Sequence, residues 1–108
     1  MKIYNLEQMI KGWFIGNFMP SAYKTSDVEV AIKKYCAGDT EREHFHKIAT
    51  EITAVISGKI KMKNKIFSNS DIVLLKPNEI TGFEALTDAI TVVVKIPGAN
   101  NDKYLKGE

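Results

Sequence analysis

From Trp13 onward, apolar and polar residues alternate along the chain in short runs. Val28, Val30 and Ile32 alternate with Glu29, Ala31 and Lys33, and Ile52, Ala54 and Ile56 alternate with Thr53, Val55 and Ser57. Successive side chains of an extended backbone point to opposite faces, so each run predicts a half-buried strand. Thr91 to Ile96 is more uniformly apolar, as suits a central strand. The runs are rich in Val, Ile, Thr, Phe and Tyr and are punctuated by Pro20-Ser21, Gly38-Asp39, Ser57-Gly58, Asn64-Lys65, Pro77-Asn78 and Thr87-Asp88. Strands at this spacing, roughly every 8 to 12 residues, predict an all-β sandwich or barrel. One short helix is predicted over Leu6 to Lys11, where Asn5 and Gln8 have capping-box spacing and Gly12 closes the segment. Trp13, Phe14 and Phe18 read as a packing cluster. After Pro97 the residues turn to Gly, Asn, Asp and Lys, which predicts a peripheral tail over 97–108, ordered only if Tyr104 and Leu105 dock.

Composition narrows the classes. A length of 108 residues suits one compact domain, and an apolar fraction of 44% with 26% charged residues is ordinary for a globular chain. No segment approaches the roughly 18 to 20 apolar residues that cross a bilayer, so no membrane partner is expected. Met1 to Pro20 lacks the continuous apolar stretch and small-residue cleavage site of a signal peptide, which leads to the expectation of a cytoplasmic protein. The net charge of +2 is too small to argue for nucleic acid. Lys59, Lys61, Lys63 and Lys65 are spaced by two and are expected to share one solvated face, and only Phe67 lies near enough to stack on a base. No nucleic-acid partner is therefore expected. Cys36 has no partner for a disulfide, and its place in an alternating stretch predicts a buried small hydrophobe rather than a reactive thiol.

The residues that carry chemistry are the chain's two histidines, His44 and His46, separated by Phe45. Two positions apart in an extended segment, their imidazoles share a face. Glu51 opens the strand that follows, where a hairpin-like return brings a carboxylate toward both rings. Two imidazoles and a carboxylate are the donor set that holds Fe(II) in oxygenases and zinc in hydrolytic sites, with positions left open for substrate or water.

Gly38, His44, His46, Glu51 and Gly58 have the spacing of the first cupin motif without gap or substitution, and Ala49-Thr50-Glu51-Ile52 is similar to the germin branch of that superfamily. The resemblance to cupins covers a barrel core of about 28–96, with 1–27 and 97–108 peripheral. It implies a double-stranded β-helix, or jelly-roll barrel, and a divalent metal ion (Fe, Mn, Zn or Ni) on His44, His46 and Glu51. The second motif is incomplete. Ser70-Asp71 stands for its opening Gly-Asp and Pro77 is kept, but Glu79 replaces a glycine and Gly82 stands in the place of the fourth ligand, a histidine. The fourth position then falls to water, a substrate atom or a stand-in. Glu84 is the first candidate because it shares a strand face with position 82, although a solvated charge just before a turn is its favoured reading, and Thr81 and Tyr35 follow. Tyr35, Lys24 and Glu84 are nominated as acid–base groups.

The resemblance further implies isomerase, epimerase, decarboxylase or dioxygenase chemistry on a small polar metabolite such as a sugar or organic acid. The alternative is a non-catalytic module that binds a small ligand with a degenerate or empty metal site. In cupins the N-terminal strand region often pairs with a second subunit, so a homodimer is the expected assembly.

Overall fold

A computed structural model describes residues 1–107. Ten strands form two five-stranded antiparallel sheets, and the only helical element among the described residues is a single 3-10 turn. The strands are β1 (Trp13–Ile15), β2 (Glu29–Tyr35), β3 (Thr40–Phe45), β4 (Thr50–Ser57), β5 (Ile60–Met62), β6 (Lys65–Phe67), β7 (Ile72–Leu75), β8 (Thr81–Ala85), β9 (Ala89–Ile96) and β10 (Tyr104–Leu105). The first sheet runs β1-β2-β9-β4-β7 and the second β10-β3-β8-β5-β6. From β2 to β5, and again from β6 to β10, consecutive strands alternate between the two sheets, which is the all-β, double-stranded β-helix expected. No helix among the described residues is long and apolar enough to cross a membrane.

The predicted helix is shorter than expected. Asn5 and Gln8 do form the capping box, but the turn covers only Leu6–Gln8, and Lys11 and Gly12 take positive φ of 53° and 82° on the way into β1. The tail does dock. Tyr104 and Leu105 pair with Phe45 and His44, Tyr104 stacks on Phe45 at 5.6 Å, and Lys47 lies 4.2 Å over the Tyr104 ring.

The faces of the first sheet are arranged opposite to what apolar patterning predicts. Its buried, inward positions include Glu29 and Ala31 on β2, Glu51, Thr53 and Val55 on β4, and Ala89, Thr91 and Val93 on β9. The apolar partners in each alternation point outward. Register aligns them in two rows across four strands, Val30, Val94, Ile52 and Leu74 in one, and Ile32, Val92, Ala54 and Ile72 in the other. Leu74 and Ile72 are 52% and 69% exposed.

The apolar core fills only one end of the barrel. Val55, Ile60, Met62, Leu75, Phe83, Ala85 and Ala89 pack there, with the Tyr35 ring tilted against Phe83 at a centroid distance of 4.4 Å. Gly58 makes the turn from β4 to β5 at φ 86°, where a Cβ would collide with the Asp88 carbonyl and Ala89. The lysine run does not share a face. Lys63 and Asn64, both at positive φ, form a two-residue hairpin turn that sets Lys65 opposite the inward Met62, while Lys61 points outward. Lys63 instead pairs with Glu79 at 2.9 Å. Cys36 is also corrected: it is exposed just after β2, where its N–H donates to Asp39. The alternation ends one residue before it.

Ile60, fully buried, and Ile66, 63% exposed on edge strand β6, separate core from surface. Urea unfolding of Ile60→Ala is expected to show a loss of about 2–5 kcal/mol. Ile66→Ala is expected to stay within about 0.5 kcal/mol of the parent.

Candidate metal centre

The polar end of the barrel is built from the end of β3 and the start of β4. His44 lies in β3, His46 just beyond it, and Glu51 is the second residue of β4. All three are buried, and one donor atom from each lies within 4.8 Å of the others. The structure thus brings the three residues together as the motif implied.

Their hydrogen bonds decide which atoms face inward. His44 Nδ1–H donates to the Arg42 carbonyl at 2.9 Å, and His46 Nδ1–H donates to the Asp102 carbonyl at 2.7 Å. A carbonyl only accepts, so each ring carries a proton on Nδ1, and in the neutral ring Nε2 is the lone-pair atom that faces inward. His46 Nε2 is buried, has no hydrogen-bond partner and lies 3.4 Å from Glu51 Oε1. Two acceptors at that separation repel unless a proton or a cation lies between them. Burial pushes His44 below its ordinary imidazole range and so favours the neutral, ligating form. Burial alone would raise Glu51, but the His46 ring beside it, with Lys95 and His44, outweighs this and brings its carboxyl below the usual range. The donor set, its burial and the orphaned Nε2 fit a divalent cation.

Asp102 holds this arrangement and was not anticipated from sequence. Its carboxylate accepts from the N–H groups of Lys47, Ile48 and Ala49 at 2.9–3.2 Å, and its carbonyl orients His46. The residue is 5% exposed. One tail residue therefore satisfies the loop joining two ligands and fixes the tautomer of one of them. The available signal was a single acidic residue two positions before Tyr104, in a segment whose composition reads as loop.

No stand-in for the fourth ligand lies where expected. Phe83 and Ala85 point into the core, so Gly82 and Glu84 point outward, and Glu84 stands across from Thr40 and Lys61. Among the described residues Glu84 is not part of the ligand cluster. Thr81, one residue earlier, is the inward residue: it is buried directly opposite His44, and its hydroxyl donates to the Gly82 carbonyl at 2.6 Å. A bulge in β3 between Glu41 and His44 changes the register there, and a one-residue shift exchanges the two faces.

A cavity of about 210 Å³ opens beside the cluster, with His44, Glu51, Thr53, Thr91 and Tyr35 among its walls. Taken at roughly 30 Å³ each, that is room for about seven waters. Tyr35 donates to Glu41 at 3.0 Å; burial, then the nearby Glu41 charge, pushes its hydroxyl far above the ordinary phenol range. Lys24 is exposed and does not line the cavity. Trp13 lies at the cavity mouth, whereas Phe14 packs beside Ala22 and Ile32 on the other face, so the expected aromatic cluster is split by the period of the strand.

Comparison of the fold with solved structures places it among double-stranded β-helix proteins. A double-stranded β-helix domain protein from Klebsiella pneumoniae matches with a TM-score of 0.69 at 24% identity, covering 78% of this chain and 74% of that one. An RmlC-like cupin from Shewanella frigidimarina matches at 0.63 and 17% identity, over 72% of each chain. Oxalate decarboxylase from Bacillus subtilis, a protein with Mn(II) centres, matches at 0.63 and 17% identity, over 76% of this chain and 25% of that one. No family model and no curated protein sequence matches the chain. The likeness shows the cupin fold.

Burial would raise the Asp102 carboxyl, but the three backbone N–H groups outweigh it and hold it below its ordinary value of 3.8. Its stabilising contribution is therefore complete above about pH 4 and lost as pH falls through the lowered value. Asp102→Asn is expected to cost roughly 1–3 kcal/mol at pH 7 by urea unfolding. The gap to wild type should narrow at acid pH; a constant gap would show that the carboxylate charge is not what holds the loop.

Proposed function

We propose that His44, His46 and Glu51 hold a divalent metal ion, and that the protein is a small metal-dependent enzyme acting on a polar metabolite of a few carbon atoms. The observation that carries this reading is the buried His46 Nε2, which lacks a partner and faces Glu51 Oε1 across 3.4 Å. The same fold carries Mn(II) centres in oxalate decarboxylase, which supports the choice of a metal over a proton. Three protein donors leave coordination positions open, and when bound a divalent ion there supplies a Lewis acid for a carbonyl or carboxylate oxygen. Around it, Thr53, Thr91 and Tyr35 offer hydroxyls to a polar ligand, and the Tyr35–Glu41 hydrogen bond provides a path for a proton at the phenol oxygen. Isomerase, epimerase or dioxygenase chemistry is compatible with this set of groups. The inward Thr81 opposite His44 favours a second reading, a ligand-binding module without turnover, because no fourth donor comes from that strand.

The assembly fits a homodimer. The two outward apolar rows of the first sheet form a continuous strip with Leu74 and Ile72 well exposed, and a second copy laid across the strip by a two-fold axis would bury both at once.

The untagged protein is expected to carry close to one divalent ion per chain by elemental analysis, and His44→Ala or Glu51→Ala to lose at least about tenfold of that content. Equal, trace metal in all three would overturn the reading. Turnover or O₂ uptake that follows metal content selects the enzyme; stoichiometric metal and a co-purifying metabolite without turnover select the binding module. Light scattering is expected to give twice the chain mass, and Ile52→Lys to give a monomer with unchanged metal content.

A further inference from the structure

The mouth of the cavity carries a charge pattern that the metal reading does not use. Lys11, Lys33, Lys95 and Lys103 line it, against Glu41 and Glu51. Two of these lysines converge on one ring: Lys33 Nζ lies 5.1 Å and Lys95 Nζ 4.8 Å from the centroid of Trp13. Both come from inward strand positions, Lys33 across from Thr91, and Lys95 across from Glu29 on one side and Glu51 on the other. Despite those neighbours, neither ammonium forms an ion pair with a carboxylate among the described residues, whereas Lys103 reaches Glu41 at 3.8 Å.

Gathering these cations is costly. Burial lowers Lys33 from its ordinary 10.5, and although Glu41 works in the other direction, Lys11, Lys95 and Lys103 add repulsion. The indole face offsets part of this through cation–π attraction. Half-enclosed ammonium groups that make no direct ion pair still leave positive charge that an anion in the cavity would engage.

We propose that Lys33 and Lys95, seated on Trp13, form an anion subsite at the cavity mouth that takes the carboxylate of a small organic acid. The acid's other polar end faces His44, His46 and Glu51, and that second contact rests on the metal reading above, while the lysine subsite does not. The cavity of about 210 Å³ limits the ligand to a few carbon atoms. An uncharged sugar would leave both ammonium groups without a direct ion pair, so the subsite selects acids over neutral metabolites.

The test is calorimetric titration of the full chain with malonate, its neutral isostere malonamide and inorganic phosphate, with metal content measured for each sample. Malonate is expected to bind at least about tenfold tighter than malonamide, a difference of about 1.4 kcal/mol or more. Lys33→Met and Lys95→Met each keep the apolar stem and the wild-type metal content but weaken malonate at least about tenfold, and Lys95→Arg restores it. Raising salt to about 0.15 M weakens malonate and leaves malonamide unchanged. Equal binding of malonate and malonamide, Met variants that bind malonate like wild type, or phosphate binding tighter than malonate would overturn the proposal. Chelator-stripped protein separates the two readings. Lysine-dependent malonate binding that persists there supports the subsite even if the native protein holds no metal, and a metal-loaded protein without lysine dependence removes the subsite alone.

Discussion

Two acceptor atoms facing each other in a buried place are the constraint around which the rest of this molecule is arranged. His46 Nε2 and Glu51 Oε1 stand 3.4 Å apart because each ring has committed its other nitrogen to a carbonyl, and because the loop between the two residues is clamped. That arrangement is unfavourable in itself. It persists because two five-stranded sheets supply a rigid wall on either side, because an apolar core fills the opposite end of the barrel, and because the last strand is tied back along β3. Beside the site, the cavity sets hydroxyl, ammonium and carboxylate groups among apolar side chains such as Met62, Phe83 and Val93.

Much of this was legible in the chain, and the part that was not has a physical reason. The spacing of His44, His46 and Glu51 survives in three dimensions because an extended strand keeps alternate residues on one face and a short return brings the next strand alongside. The number and spacing of strands followed from turn residues. The direction of each face did not. Alternation shows that two faces differ without showing which one is interior, and here the residues turned inward on β2 and β4 include Glu29, Lys33, Glu51 and Thr53 while Ile32, Ile52 and Ile56 look out. A barrel that houses a polar site inverts the usual expectation for apolar side chains. Glu84 failed as a ligand for a related reason: motif spacing marks a position along the chain, and the regular alternation of β8 turns Thr81, Phe83 and Ala85 inward, which leaves 82 and 84 on the outer face. Asp102 was invisible because its importance comes from contacts more than fifty residues away in sequence.

The two faces of the first sheet divide the work of the fold. Inside, Lys95 and Glu51 are cross-strand neighbours, so a cation of the mouth and a candidate ligand share one rung of the ladder. Outside, the adjacent rung is made of Val30, Val94, Ile52 and Leu74. A contact made on the outer face would stiffen the strands that carry Glu51 and Lys95. The proposed homodimer contact would thus act on the site through one sheet, without any residue taking part in both.

The central claim is a common point of convergence for three side chains, and the most direct measurement is anomalous scattering from crystals soaked in Mn(II) or Zn(II). A single anomalous peak about 2.0 to 2.3 Å from His44 Nε2, His46 Nε2 and a Glu51 oxygen, with both Nδ1 atoms still bonded to carbonyls, is the predicted result. No peak there, together with a His46 ring turned so that Nε2 donates to a protein oxygen, would contradict the account.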